Sequence, residues 1–267
     1  MLSAPQRQVD FDHWPYPSLA AHRGGGWLAP ENTLAALRMG WARGYRFAEF
    51  DVRLSADGVP YLHHDDSLSR TTGVSQPAGR LRYAEIARLD AGRSFGDAFA
   101  GEAPPLLAAV AVWMRERGCA ANVEIKIDDD ATPQSATRVG AVIAQACVTL
   151  WSGAPVPPLL SSFSIEALRA ARDHAPTLPR GLLCGPTLPE HWPMLLEETG
   201  ACALHADHQS LTADIVAAVH ARRIRVLAYT VNDPGRAALL QAWGVDALIT
   251  DAIDQIHPTS DFNPLES

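Results

Sequence analysis

A chain of 267 residues that is 47% hydrophobic and 19% charged is long enough to bury one large core, which excludes a disordered or fibrous protein. The net charge of −8 excludes the broad basic field that nucleic acid or an anionic membrane would need. An anionic ligand must then be held by local cations or by a metal ion.

Residues Met1 to Pro17 include Asp10, Asp12 and three prolines, with no basic stretch leading into an apolar run. That segment does not read as a secretory signal. No run approaches the ~20 apolar residues of a membrane span, so a cytoplasmic protein with no stable membrane association is expected. Cys119, Cys147, Cys184 and Cys202 lie far apart, without a paired-cysteine motif. They are expected to be buried thiols in a reducing compartment, not zinc ligands or disulfides.

Short apolar runs then alternate with helix-compatible stretches, as parallel strands joined by crossover helices require. A strand is predicted at Ser18–His22 and a helix at Asn32–Arg43, with Leu34, Leu37 and Trp41 on its apolar face and Asn32 or Thr33 as its cap. A second strand follows at Phe47–Val52. Further on, strands at Ala121–Ile127, Pro158–Phe163, Arg180–Cys184, Cys202–Ala206, Arg225–Thr230 and Ala247–Thr250 alternate with helices. The helices are predicted at Leu106–Arg117, Gln134–Leu150, Ile165–His174, Leu188–Thr199, Asp214–Arg223 and Pro234–Trp243. This pattern predicts a (β/α)8 TIM barrel, read as one domain over residues 1–267. One connection breaks the rhythm. After the second strand, Asp57-Gly58 signals a hairpin, so Val59–His64 should fold back beside Asp51–Leu54. The remainder of the segment, approximately residues 55–105, reads as a small subdomain inserted over one barrel end. The tail after His257 reads as a loose terminus.

In such barrels chemistry sits at the C-terminal ends of the strands, and potent residues collect there. The first strand ends in His22-Arg23 and three glycines, Gly24 to Gly26, whose amides could approach an anion. Glu49 and Asp51 leave one face of the second strand, and Glu124 and Lys126 share a face of the third. Three converging carboxylates repel one another unless a hard divalent ion with oxygen ligands joins them. The hairpin brings His64 level with Glu49 to Asp51, opposite His22, which suits acid and base work. Arg23 and Lys126 supply donors for a phosphate. Asp128, Asp129 and Asp130 read as a solvated loop, His63 alternates away from His64, and His205, Asp207 and His208 are placed near the barrel mouth.

The ordered series His22-Arg23-Gly24, Ala29-Pro30-Glu31-Asn32-Thr33, Glu49-x-Asp51-Val52, Asp57-Gly58 and His64-Asp65 resembles the glycerophosphodiester phosphodiesterase family. Glu124-Ile125-Lys126, Leu160-Ser161-Ser162-Phe163, Tyr229-Thr230-Val231-Asn232 and Thr250-Asp251 extend the likeness over about Leu19 to Ile256. It looks closest to the short cytosolic bacterial type. The resemblance implies a Mg²⁺ or Ca²⁺ site at Glu49, Asp51 and Glu124. It further implies acid and base roles for His22 and His64, phosphate contacts from Arg23 and Lys126, and Glu31 holding Arg23 or the metal shell. The implied reaction converts a small glycerophosphodiester and water into an alcohol and sn-glycerol 3-phosphate. After Lys126 the chain departs from the family's proline, carrying Ile127 and the aspartate run. A lipid-hydrolysing barrel of the phospholipase C or D kind is one alternative, but it would want a basic amphipathic helix that this chain lacks. A non-catalytic phosphodiester-binding barrel is the other, and it would be expected to have lost one of the residues just named. Headgroup preference and oligomeric state have no signal in the sequence.

Overall fold

A computed structural model describes residues 11–258. In chain order its elements are β1 (Leu19–Ala21), α1 (Leu34–Ala42), β2 (Phe47–Leu54), β3 (Pro60–Leu62), α2 (Ser69–Thr72), α3 (Tyr83–Ile86), α4 (Leu107–Glu116), β4 (Ala120–Ile125) and α5 (Pro133–Leu150). They continue as β5 (Leu159–Ser162), α6 (Ile165–His174), β6 (Arg180–Cys184), α7 (Trp192–Thr199), β7 (Ala203–Asp207), α8 (Ala213–His220), β8 (Arg225–Tyr229), α9 (Pro234–Ala242) and β9 (Ala247–Thr250).

The strands are short and buried almost throughout, as parallel strands covered on both faces must be. Eight of them pair in parallel, and the ring closes where β1 meets both β9 (Leu19 with Leu248) and β2 (Ala21 with Ala48). The predicted TIM barrel is therefore the observed one. Inward-facing Phe47, Leu159, Leu227 and Ile249 form an apolar plug in its lower half. Tyr16 stacks on Phe47 and donates to the carbonyl of Pro157, closing the bottom. The layer above this plug is polar, and it carries the chemistry.

Helix starts follow from local side-chain chemistry. Thr33, Thr132, Ser164, Thr212 and Asp233 each accept an amide from the first turn of α1, α5, α6, α8 and α9. Thr33, not Asn32, is thus the cap of α1. Two expectations fail at helices. Trp41 lies on the exposed side of α1, stacked under Arg46, while Ala36, Leu37 and Gly40 are buried. Helix α7 begins at Trp192 instead of Leu188, because Pro193 fits only a first turn and Pro189 disfavours a helical residue before it.

The hairpin forms as read. β3 runs antiparallel to β2, pairing Leu62 with Val52, and it occupies the edge of β2 that β1 leaves free beyond Ala21. After it, Leu68, Ala78 and Ile86 gather around Tyr61 as a small separate core. The four cysteines are free thiols, three of them buried and Cys202 partly so. Among the described residues no helix is long and apolar enough to cross a membrane.

Candidate active site

Asp51 and Glu124 are register partners on the adjacent strands β2 and β4, and Glu49 shares the inward face of β2 two residues before Asp51. One ligand atom of each lies within 4.8 Å of the others. Burial first, and the charge of Asp51 next, push the carboxyls of Glu49 and Glu124 well above the usual range. Asp51 goes the other way. Burial opposes its charge, but Arg23, His64, Lys126 and the Asn32 amide outweigh it and keep it ionised. The protein's own cations thus neutralise only part of this cluster. Three convergent oxygen donors with uncompensated charge suit a hard divalent ion.

A pair of matching brackets holds the acidic groups. Asn32, in a left-handed conformation (φ 57°), donates Nδ2 to Asp51 Oδ2 at 2.8 Å and accepts the Asp51 amide at 3.0 Å. Asn232 does the same for Asp251, at 3.0 and 2.8 Å. Each asparagine follows one barrel strand and grips the aspartate of the next. Asp251 in turn accepts from His22 Nδ1 at 2.6 Å, leaving Nε2 pointing into the site, 3.9 Å from Glu49 Oε2. His64 is oriented alike: its Nδ1 meets Asp65 Oδ1 at 2.7 Å. The hairpin register supplies this position, since the amide of His63 bonds the carbonyl of Asp51. Two buried guanidinium donors of Arg53 also hold the His64 carbonyl.

The two imidazoles sit in opposing environments. For His22, burial disfavours the charged ring, but the Asp251 hydrogen bond and the charge of Glu49 outweigh it and raise its pKa. For His64, burial dominates, and Arg23 and Lys126 add to it against the pull of Asp51, so its pKa is lowered. Such divergence suits one proton donor and one acceptor.

Arg23 occupies the left-handed region (φ 49°), which turns its amide onto Glu49 Oε2 at 3.0 Å. Its Nη1 bonds Glu31 at 2.7 Å, while its buried Nε has no hydrogen-bond partner and lies 3.7 Å from Asp51. Lys126 approaches Glu124 at 3.0 Å and Asp51 at 3.8 Å. All seven residues singled out in the sequence therefore meet at one end of the barrel. Among the glycines beside Arg23, Gly26 (φ +52°) serves close approach of backbone: a Cβ there would lie 2.0 Å from the carbonyl of Asp251.

Other placements differ from the sequence reading. Asp128 is not simply solvated; with Asp66 it clasps the buried Arg53. His63, by contrast, turns from the site as its alternation with His64 predicts, and bonds the carbonyl of Ser67. His205 does not line the mouth. It is fully buried inside the barrel, with neither ring nitrogen bonded and its pKa pushed by burial to about 3. Its ring lies over Gly181 of β6, where an added Cβ would meet Nε2 at 2.3 Å. Gly181→Ala is therefore expected to destabilise the fold by about 1–3 kcal/mol, read as a lower melting temperature. Adding His205→Ala should recover part of the loss; equal melting of single and double variants would disprove the clash. Asp251, Asp65 and Asn232 were visible in the sequence only as neighbours or motif members, and Arg53 and Arg70 had no signal there.

Residues 22–255 match the glycerophosphoryl diester phosphodiesterase family. A glycerophosphodiester phosphodiesterase of Caldanaerobacter subterraneus subsp. tengcongensis is 30% identical over 233 residues, covering 86% of this chain and 92% of the relative. Among solved structures, an Oleispira antarctica phosphodiesterase in complex with the product sn-glycerol-3-phosphate superposes with a TM-score of 0.82 at 32% identity, covering 90% of this chain and 95% of that one. A glycerophosphodiester phosphodiesterase from Agrobacterium tumefaciens gives 0.72 at 30% identity, covering 89% and 97%. With the family match spanning the site from His22 to beyond Asp251, this chain belongs to the glycerophosphoryl diester phosphodiesterase family.

Proposed function

We propose that this enzyme hydrolyses small glycerophosphodiesters to an alcohol and sn-glycerol 3-phosphate, using a divalent ion and two histidines. The observation that carries the reading is the meeting of three carboxyl groups, two buried and that of Glu124 partly so, with two aspartate-oriented histidines at one barrel end. Glu49, Asp51 and Glu124 would hold Mg²⁺ or Ca²⁺, whose chemistry there is to polarise phosphoryl oxygen and offset its charge. Arg23, through its unpartnered Nε, and Lys126 bind and orient the phosphate. His64, kept neutral, takes a proton at Nε2 from the nucleophile as the new P–O bond forms; that nucleophile is either water or the neighbouring glycerol 2-hydroxyl, whose cyclic phosphate water then opens. His22, with Asp251 favouring its charged form, gives a proton to the departing alkoxide as the old P–O bond breaks. A bound cation would lower both histidine pKa values, but the Asp251 contact acts on His22 alone. The free thiols fit a reducing compartment, and we place the enzyme in the cytoplasm.

The test is glycerol 3-phosphate release from glycerophosphocholine and glycerophosphoethanolamine with Mg²⁺, with Ca²⁺ and with EDTA. Release that EDTA stops and either ion restores is the expected result. Undiminished release in EDTA would remove the metal, and no release from either diester would remove the substrate class.

A further inference from the structure

The structure assigns a positioning role to Arg70, which lies on α2 of the inserted segment and touches neither histidine. Its guanidinium makes two forks. Toward the loop after β1, Nη1 and Nη2 donate to Glu31 Oε2 and Oε1 at 2.6 and 2.7 Å. Toward the loop after β3, Nε and Nη2 donate to Asp65 Oδ2 and Oδ1 at 2.7 and 2.9 Å. Each acid has a second bond into the site, Glu31 to Arg23 and Asp65 to His64, both at 2.7 Å. An unbroken chain of charged hydrogen bonds thus runs Arg23–Glu31–Arg70–Asp65–His64. Because Glu31 Oε1 and Asp65 Oδ1 share one nitrogen, removing the guanidinium leaves two like charges side by side with nothing between them.

We propose that Arg70 fixes the spacing between the phosphate-binding Arg23 and the proton-accepting His64. This gives the insertion a catalytic purpose, and it rests on the roles proposed above for those two residues. The geometry needs a planar double fork, which an ammonium cannot supply. With its side chain half-exposed, Arg70 contributes little to the core, so its loss should leave the fold intact. The two arms also predict different kinetic defects. Breaking the Glu31 arm loosens Arg23 and raises KM, whereas breaking the Asp65 arm misorients His64 and lowers kcat.

The experiment measures kcat and KM for a glycerophosphodiester in wild type, Arg70→Ala, Arg70→Lys, Glu31→Gln, Asp65→Asn and the double variant of the two acids, with melting temperatures alongside. Arg70→Ala is expected to lower kcat/KM by about 10–100-fold through both constants, with little change in melting. Arg70→Lys should restore little of it. Glu31→Gln should act mainly on KM and Asp65→Asn mainly on kcat, and their combination should lose less than the product of the single losses. In the Arg70→Ala background, each acid substitution should add little. Near-normal kinetics in Arg70→Ala, full recovery with lysine, or independent multiplication of the two acid defects would each overturn the proposal. Arg70→Lys keeps the charge and the helix, so a fold defect confined to Arg70→Ala would still leave the lysine result decisive. An inactive wild type would instead overturn the underlying reading of the site.

Discussion

Glu49→Gln is expected to change activity and stability in opposite directions. Turnover should fall by at least about 10²–10³-fold, the loss of several kcal/mol of metal-assisted charge stabilisation. Without metal, however, the variant should melt at a higher temperature than wild type. Glu49 is 3% exposed, close to Asp51, and its carboxyl is raised by burial and by that charge. A carboxyl whose folded pKa exceeds its unfolded value favours folding when protonated. That contribution is complete at low pH and is lost as pH climbs from the ordinary glutamate range through the raised folded value. Metal-free wild type should accordingly lose stability over this interval, and Glu49→Gln should lose less. Mg²⁺ or Ca²⁺ should then raise the melting temperature of wild type, since binding confined to the folded state stabilises it, and raise that of the variant far less. Melting curves from pH 4.5 upward, with and without each ion, would decide it. A variant that melts lower than wild type and responds fully to metal would mean that Glu49 is structural.

This site therefore stores a local cost that the rest of the barrel carries. The same cost explains why so much of it was readable in advance. A glutamate within Phe-Ala-Glu-Phe-Asp-Val has no bland role on a strand buried on both faces, so alternation alone aimed Glu49 and Asp51 inward together. The eight barrel strands were readable for a related reason, because their apolar runs and crossover spacing leave few other arrangements. His64 followed from turn chemistry, with Asp57-Gly58 setting the register that brings it level with the carboxylates.

The rest was hidden because it depends on which surfaces meet, and no local pattern records that. Trp41 sits at helical spacing from Leu37 but falls on the side that Arg46 covers. His205 alternates inward like its strand neighbours, yet whether it reaches the mouth or the plug layer depends on barrel stagger, and the missing side chain at Gly181 makes its room. Arg70 lies in a polar stretch of the insertion that reads as ordinary surface. It acquires a role only because β3 carries the insertion across to Glu31. Asp251 was in plain view at the end of a strand. Its pairing with His22 needed the closure of β9 onto β1, a contact between opposite ends of the chain.

His22→Ala and His64→Ala should each lower kcat by about 10²–10⁴-fold, the usual worth of a placed acid or base, but they should differ in pH dependence and in rescue. His64 acts when neutral and its pKa is lowered, so it should govern the acidic limb, with rate rising as the ring deprotonates. His22 acts when protonated and its pKa is raised, so it should govern the alkaline limb, with rate falling as its proton is lost. Each alanine variant should flatten its own limb and keep the other. Asp251→Asn removes the charge that raises the His22 pKa, so it should move the alkaline limb to lower pH without displacing the acidic one. A diester with an activated leaving group, such as a nitrophenyl ester of glycerol phosphate, needs no proton on departure. It should restore much of the rate of His22→Ala and little of that of His64→Ala. Rescue of His64→Ala instead would exchange the two roles, and rescue of neither would mean that both rings serve only to bind.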